Sequence, residues 1–269
     1  MITPRRVTLR LLQTPESLDQ RPRLAATLSP LLTTGEFDGL RGALEWISQS
    51  GYRGVQLSAI EPGLRPRELS LSARRDLAAT LRRLELTCAG IDLFLPPSHL
   101  TDPQHVSRAL DAIEAALEFA AVLGRAGVTI PLGVEEPCEI RAAIAATASR
   151  LGVSVHLPVL HAKEASGLVA PFQASVDCAS VLGAGVAPEE LVGILGSRLG
   201  SVRVVDLWRS GLRGAILEPR ESRLDALALR IALETAGFRQ LAVVDARQWT
   251  TPRRGLEQVL ERWSALVPS

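Results

Sequence analysis

Lysine is almost missing from this chain: of 30 basic residues, Lys163 is the one lysine and the rest are arginines. Schiff-base chemistry therefore has a single candidate, and Lys163 follows an apolar loop with no evident desolvating context. The arginine excess reads as a solvated, ion-paired surface or, for a few side chains, as forks for a phosphate. Cysteine is scarce too. Cys88, Cys138 and Cys178 lie far apart, are odd in number and include no CxxC pair, which reads as reduced, buried small residues in a cytoplasmic protein. Neither GxGxxG nor GxxxxGK[ST] occurs, so a doubly wound open sheet lacks the phosphate loop it would want. No uncharged run reaches membrane-spanning length, and MITPRRVTLRLLQ lacks the apolar core of a signal peptide. Charge of one sign is also missing: 30 basic against 29 acidic residues, a formal net charge of +1, gives no bulk attraction to nucleic acid or anionic lipid.

What is present is a long, evenly apolar chain. Its 269 residues, 46% hydrophobic and 22% charged, suit one large core, and about 250 residues is what a single (β/α)8 barrel needs. Apolar β-branched runs predict eight strands, at 7–12, 54–58, 87–93, 128–132, 153–157, 174–178, 202–207 and 241–245. Helical spacing predicts segments from Phe37 to a stop at Gly51, then 70–84, 101–124, 139–151, 188–199, 224–236 and 253–266. Thr101-Asp102-Pro103 reads as a helix start, a capping residue followed by proline. Residues 14–34 read as an irregular connection or a lid, and the helix after the fifth strand is faint. Alternation of strand and helix with right-handed crossovers gives an α/β fold, a single parallel eight-stranded TIM barrel over residues 1–269.

Polar residues gather where the predicted strands end, the face on which such barrels do their chemistry. Four pieces of sequence carry a resemblance: Gly51-Tyr52-Arg53-Gly54-Val55-Gln56-Leu57, the segment from Arg108 to Gly124, Val176-Asp177 ahead of Gly183, and Val202-Arg203-Val204-Val205-Asp206. In this order and spacing they resemble the xylose isomerase-like TIM barrels of the sugar phosphate isomerase/epimerase group, which also includes endonuclease IV-type enzymes. The resemblance implies one divalent metal held by Glu, Asp, His and Glu on the fifth to eighth strands. Those places are Pro158, Asp177, Arg203 and Asp245 here, and the histidine that usually follows the Asp by three is Ser180. Proline and guanidinium are not ligands, and two carboxylates are too few for a closed site, so neither a metal nor another cofactor is expected.

The charges suggest a replacement: Arg203 in the place of the cation, bridging Asp177 and Asp245. Asp177 and Asp245 are the candidate catalytic acid and base. Candidate ligand-binding residues are Gln56, His156, His161, Arg203, Asp206, Arg209 and Arg247, with Trp208, Arg213 and Trp249 on the same rim. His156 also reads as a core histidine deeper than the mouth, and Glu135 with Glu136 as an acid/base pair or as helix-start acids. Three functions remain open: a sugar phosphate isomerase or epimerase with altered machinery, a non-catalytic descendant that binds a small sugar or sugar phosphate or regulates a partner enzyme, and an endonuclease IV-like repair enzyme, for which no multi-metal set is in place. The partner expected is a small sugar or sugar phosphate, with no nucleic acid and no membrane.

Overall fold

The computed structural model of the chain describes residues 23–132, 138–216 and 221–266. Seven strands run in parallel around a ring in chain order: β1 (Leu24–Thr27), β2 (Gly54–Ser58), β3 (Thr87–Asp92), β4 (Val128–Thr129), β5 (Val155–Pro158), β6 (Phe172–Asp177) and β7 (Leu199–Val204). The connection after β7 carries a short antiparallel ribbon, β8 (Asp206–Leu207) with β9 (Arg213–Gly214). The eighth barrel strand, β10 (Ala242–Val244), pairs with both β7 and β1 and closes the cylinder. The fold is therefore the expected (β/α)8 TIM barrel.

The helices are α1 (Ser29–Thr33), α2 (Gly39–Ser50), α3 (Leu71–Arg83), α4 (Val106–Val122), α5 (Cys138–Leu151), α6 (Cys178–Gly183), α7 (Pro188–Leu195), α8 (Ala226–Thr235) and α9 (Pro252–Ala265). Amphipathic spacing puts Leu44 and Ile47 of α2, or Ile113 and Leu117 of α4, against the outer wall of the barrel, where the apolar core lies. Gly51 ends α2 in the left-handed region, φ +101°, donating its N–H to Ser48 O. No helix among the described residues is long and apolar enough to cross a membrane.

Several boundaries differ from expectation. The predicted first strand at 7–12 lies outside the described residues. The barrel's first strand is Leu24–Thr27, inside the stretch expected to be a connection or lid, and α1 follows it directly. Leu-Ala-Ala-Thr is buried along its whole length, so it shows no alternation, and its alanines carry little strand propensity. α4 begins at Val106 rather than at Thr101, because Asp102 is engaged in a turn of its own: Oδ1 accepts from Gln104 N at 2.8 Å and Oδ2 lies 2.7 Å from His105 Nδ1. Between β5 and β6 there is only a 3-10 turn, Ala162–Ala165. β7 starts earlier and stops at Val204, leaving Asp206 and Leu207 to the ribbon.

The inside of the barrel is polar. Alternate positions on a strand share a face, so Gln56 and Ser58, Ser175 and Asp177, and Ser201 and Arg203 point the same way. Ser201 Oγ donates to Ser175 Oγ at 2.8 Å. Toward the N-terminal ends of the strands sits His156, with Nε2 2.9 Å from Ser154 Oγ. Gly127 and Gly200 flank the imidazole so closely that a Cβ on either would overlap it. Burial, then the Arg203 charge, lowers the His156 pKa to about 4 against a weaker pull from Gln173.

A histidine kept neutral in the folded state stabilises it fully above the ordinary pKa of 6.5, and that contribution is lost as pH falls toward 4. The loss amounts to about 3 kcal/mol. Urea unfolding between pH 7.5 and 4 is expected to show it, and His156→Gln to flatten the slope; an unchanged slope in the variant would contradict the assignment. Gly200→Ala, which has to displace the imidazole, is expected to reduce stability by about 1–3 kcal/mol in the same measurement.

Candidate functional site

The side chains at the C-terminal end of the barrel interior form one network of three aspartates and three arginines. Its centre is Arg203 of β7, only 4% exposed. Arg203 Nη1 donates to Gln56 Oε1 at 2.8 Å and lies 3.5 Å from Asp245 Oδ2, while Nη2 is bonded to Asp92 Oδ1. Gln56 Nε2 donates to the same Asp92 oxygen at 3.1 Å. Arg247, just past β10, spans the two carboxylates from above: Nε donates to Asp245 Oδ1 at 2.8 Å, Nη2 to Asp245 Oδ2, and Nη1 to Asp92 Oδ2 at 3.1 Å. Its guanidinium lies over the Phe94 ring, 4.7 Å from the centroid.

Asp177 is held separately. It caps α6, accepting from Ser180 N at 2.9 Å, and this turns its carboxylate toward the ribbon. There Arg213 grips it with two donors, at 2.9 and 2.6 Å, and approaches Asp245 Oδ2 at 3.8 Å. The expected bridge from Arg203 to both Asp177 and Asp245 is thus corrected: Arg203 joins Asp245 to Asp92, and Arg213 takes Asp177. Asp92 is the residue the sequence reading missed. A lone carboxylate in the apolar run Thr87–Asp92, two positions after Gly90 and so on the inward face, was its signal.

Burial would raise the Asp245 pKa, but the Arg247 hydrogen bond and the Arg203 and Arg247 charges overcome it and hold the carboxyl at about 2. Burial likewise works against the charged form of Arg203, and Asp92 and Asp245 more than offset it, leaving the guanidinium above its ordinary value. Arg213 is raised in the same way, chiefly against burial by its hydrogen bond to Asp177. Asp245, Arg203 and Arg213 are therefore ionised at neutral pH.

The other candidates are not drawn into this network. His156 belongs to the barrel floor and cannot meet a ligand at the mouth. Asp206 is fully buried and acts as a tether: Oδ1 accepts from Arg223 N at 3.1 Å and Leu224 N at 2.9 Å, holding the ribbon to the approach to α8. His161 sits on the loop after β5 and Arg209 on the exposed turn of the ribbon. Glu135 and Glu136 lie outside the described residues. At the four places where the resemblance implies metal ligands, Pro158 offers none, Arg203 is a cation, and both Asp245 oxygens are taken by arginine. These donors do not fit a divalent ion, and among the described residues no group of three His, Cys, Asp or Glu side chains is placed to hold one.

Removing one member of a buried ionic cluster leaves its partners uncompensated, at a cost of about 3–5 kcal/mol. Arg203→Met is therefore expected to lose that much stability in urea, and Arg203→Lys, which cannot fork onto Asp92 and Gln56 together, to recover only part of it. A loss under about 1 kcal/mol would mean that the pairing contributes little.

No protein-family model matches the chain, and no curated protein matches it in sequence. Solved structures do match in shape. A xylose isomerase domain protein from Planctomyces limnophilus superposes with a TM-score of 0.66 at 13% identity, over 90% of this chain and 95% of that one. The 3-keto-D-glucoside 4-epimerase of E. coli gives 0.66 at 14%, over 90% and 98%. A probable 3-DHS dehydratase from Bacillus anthracis gives 0.68 at 10%, over 88% and 98%. One architecture thus carries both epimerase and dehydratase names, and the shared feature is the barrel. By closed topology and by these superpositions, the chain has the fold of the xylose isomerase-like TIM barrels.

Proposed function

We propose that this protein binds a small sugar or sugar phosphate at the mouth of its barrel, in a site where an arginine network stands in the place of the metal ion, and that it does not perform metal-assisted epimerisation. The observation that carries this is the state of Asp245. A general base works best with a pKa near the operating pH. A carboxylate held at about 2 by Arg203 and Arg247 is a weak proton acceptor, and its engaged oxygens leave little room to ligate a cation. Sugar recognition is supported by the polar, arginine-rich mouth built from Gln56, Asp177, Arg203, Arg213 and Arg247, with His161 and Arg209 on the loops around it. It is supported also by the sugar epimerases among the structural neighbours. A near-neutral charge and three free cysteines favour a cytoplasmic protein without a nucleic-acid or membrane partner.

The competing reading is turnover with Asp177 and Asp245 as acid and base. It is favoured by Asp177, whose side chain keeps 19% exposure at the mouth. Thermal unfolding with a panel of ketoses, aldoses and their phosphates, beside NMR of solvent-deuterium incorporation next to the carbonyl, separates the two. We expect stabilisation by at least one sugar and no deuterium uptake, with or without added Mn2+ or Mg2+. Uptake that depends on the metal, with a stoichiometric bound ion, would overturn the proposal; metal-independent uptake lost in Asp245→Asn would establish the competing one.

A further inference from the structure

The three arginines at the mouth are not held alike. Arg203 lies inside β7, paired on one side with β6 and on the other with β10, and its side chain keeps 5% exposure. Arg213 grips both oxygens of Asp177 and adds Ser180 Oγ at 3.3 Å. Arg247 comes from the loop past β10, where the ladder has ended, and its side chain keeps 24% exposure. It is the member that can turn out into water while its backbone N–H stays on Asp245 Oδ1.

The contacts Arg247 makes describe a recess shaped for a cation. Its side chain donates to three carboxylate oxygens: Asp245 Oδ1 at 2.8 Å, Asp245 Oδ2, and Asp92 Oδ2 at 3.1 Å. Asp92 Oδ2 takes its hydrogen bond from Arg247 and not from Arg203, which is bonded to Oδ1. The fourth wall is the ring of Phe94, an exposed aromatic whose centroid lies 4.7 Å from the guanidinium. Two converging carboxylates beside an aromatic face are the elements that recognise an ammonium group.

Charge balance decides what else fits there. With Arg247 in place, three arginines face three aspartates and every oxygen of Asp92 and Asp245 already accepts a hydrogen bond. With Arg247 turned out and a neutral sugar in its place, two buried carboxylates would face Arg203 without their second cation, the imbalance that buried ionic clusters tolerate least. A ligand that brings its own positive charge keeps the balance.

We propose that Arg247 is an internal plug in the place of a ligand's ammonium group, and that the sugar received at the mouth is an amino sugar whose protonated amine displaces it. The inference rests on the reading of the mouth as a sugar site and narrows its ligand class to cationic vicinal amino alcohols. The ammonium donates to Asp92 Oδ2 and Asp245 Oδ2 over the Phe94 face, and the adjacent hydroxyl donates to Asp245 Oδ1, which replaces the three donors of Arg247. Because the recess has to be vacated first, the apparent affinity of the native protein is lowered by the fraction of molecules in which Arg247 is turned out.

The test is calorimetric titration of the full-length protein with glucosamine, glucose and N-acetylglucosamine, with 1-amino-1-deoxyfructose and fructose, and with methylammonium, repeated on Arg247→Ala and Arg247→Gln. At least one amino sugar is expected to bind tenfold or more tightly than its neutral counterparts, and the excess to vanish as pH rises through the pKa of its amine. The two variants, with the plug removed, are expected to bind that amino sugar tenfold more tightly again, and Phe94→Ala added to either should take back part of the gain. If amino and neutral sugars bind alike, or the variants bind the amino sugar no more tightly than the wild type, the plug is refuted and the sugar-binding mouth stands. If methylammonium alone binds as tightly as the amino sugar, the recess is a free-cation site and the inference fails. If the wild-type protein binds none of the sugars, the mouth reading falls and this one with it.

Discussion

Taking a guanidinium out of water costs several kcal/mol even after the protein relaxes around it. Arg203 is almost wholly withdrawn from solvent, so its surroundings have to supply opposite charge and hydrogen-bond acceptors at close range. Asp92, Asp245 and Gln56 do so. Two buried carboxylates against one cation would in turn be out of balance, and Arg247 covers the oxygens that Arg203 leaves open. Asp177 and Arg213 complete a neutral set of three and three. Each member is tolerable only because the others are there, and this mutual dependence organises the mouth of the barrel.

Barrel closure is what permits it. Gln56, Asp92 and Arg203 come from β2, β3 and β7, and β10 leads into Asp245. β1 and β10 lie between β7 and β2 around the ring. Side chains 111 and 147 residues apart in sequence meet across the interior. Below them the interior stays polar, down to a neutral histidine lodged between two glycines. The apolar core occupies a different layer, between the strands and the helices, so the network can be charged without weakening the packing that holds the cylinder together.

An arginine at the centre of the mouth differs from a metal ion in what it can do there. A divalent ion leaves coordination positions open to substrate oxygens and polarises them. A guanidinium supplies a fixed single charge with directed donors, and here most of those donors are already bonded to carboxylates. In the function proposed here such a site orients and neutralises rather than moves protons, and the aspartates serve as parts of a binding surface rather than as acid and base.

Much of the architecture was legible in the residues. Gly54–Ser58 and α2 with its Gly51 stop appear where the periodicity puts them, because a strand or helix packed on one layer writes its period into the sequence. β1 was illegible for the opposite reason: four residues buried on every side carry no alternation. The placement of Asp177, Arg203 and Asp245 at strand ends was legible from the order of the motifs. Their partners were not. Whether Asp177 would face Arg203 or Arg213 depended on its capping of α6 and on a two-residue ribbon with no sequence signal of its own. Asp92 ends its strand with no motif around it, and only closure of the barrel brings it to Arg203 and Arg247. By itself the chain determined its alternation of strands and helices, its near-neutral charge and the presence of a proline and an arginine, Pro158 and Arg203, on its fifth and seventh barrel strands, since these are local or additive properties. Only the tertiary structure decided which aspartate meets which arginine, because buried ion pairs are chosen by distance in space and not by distance along the chain.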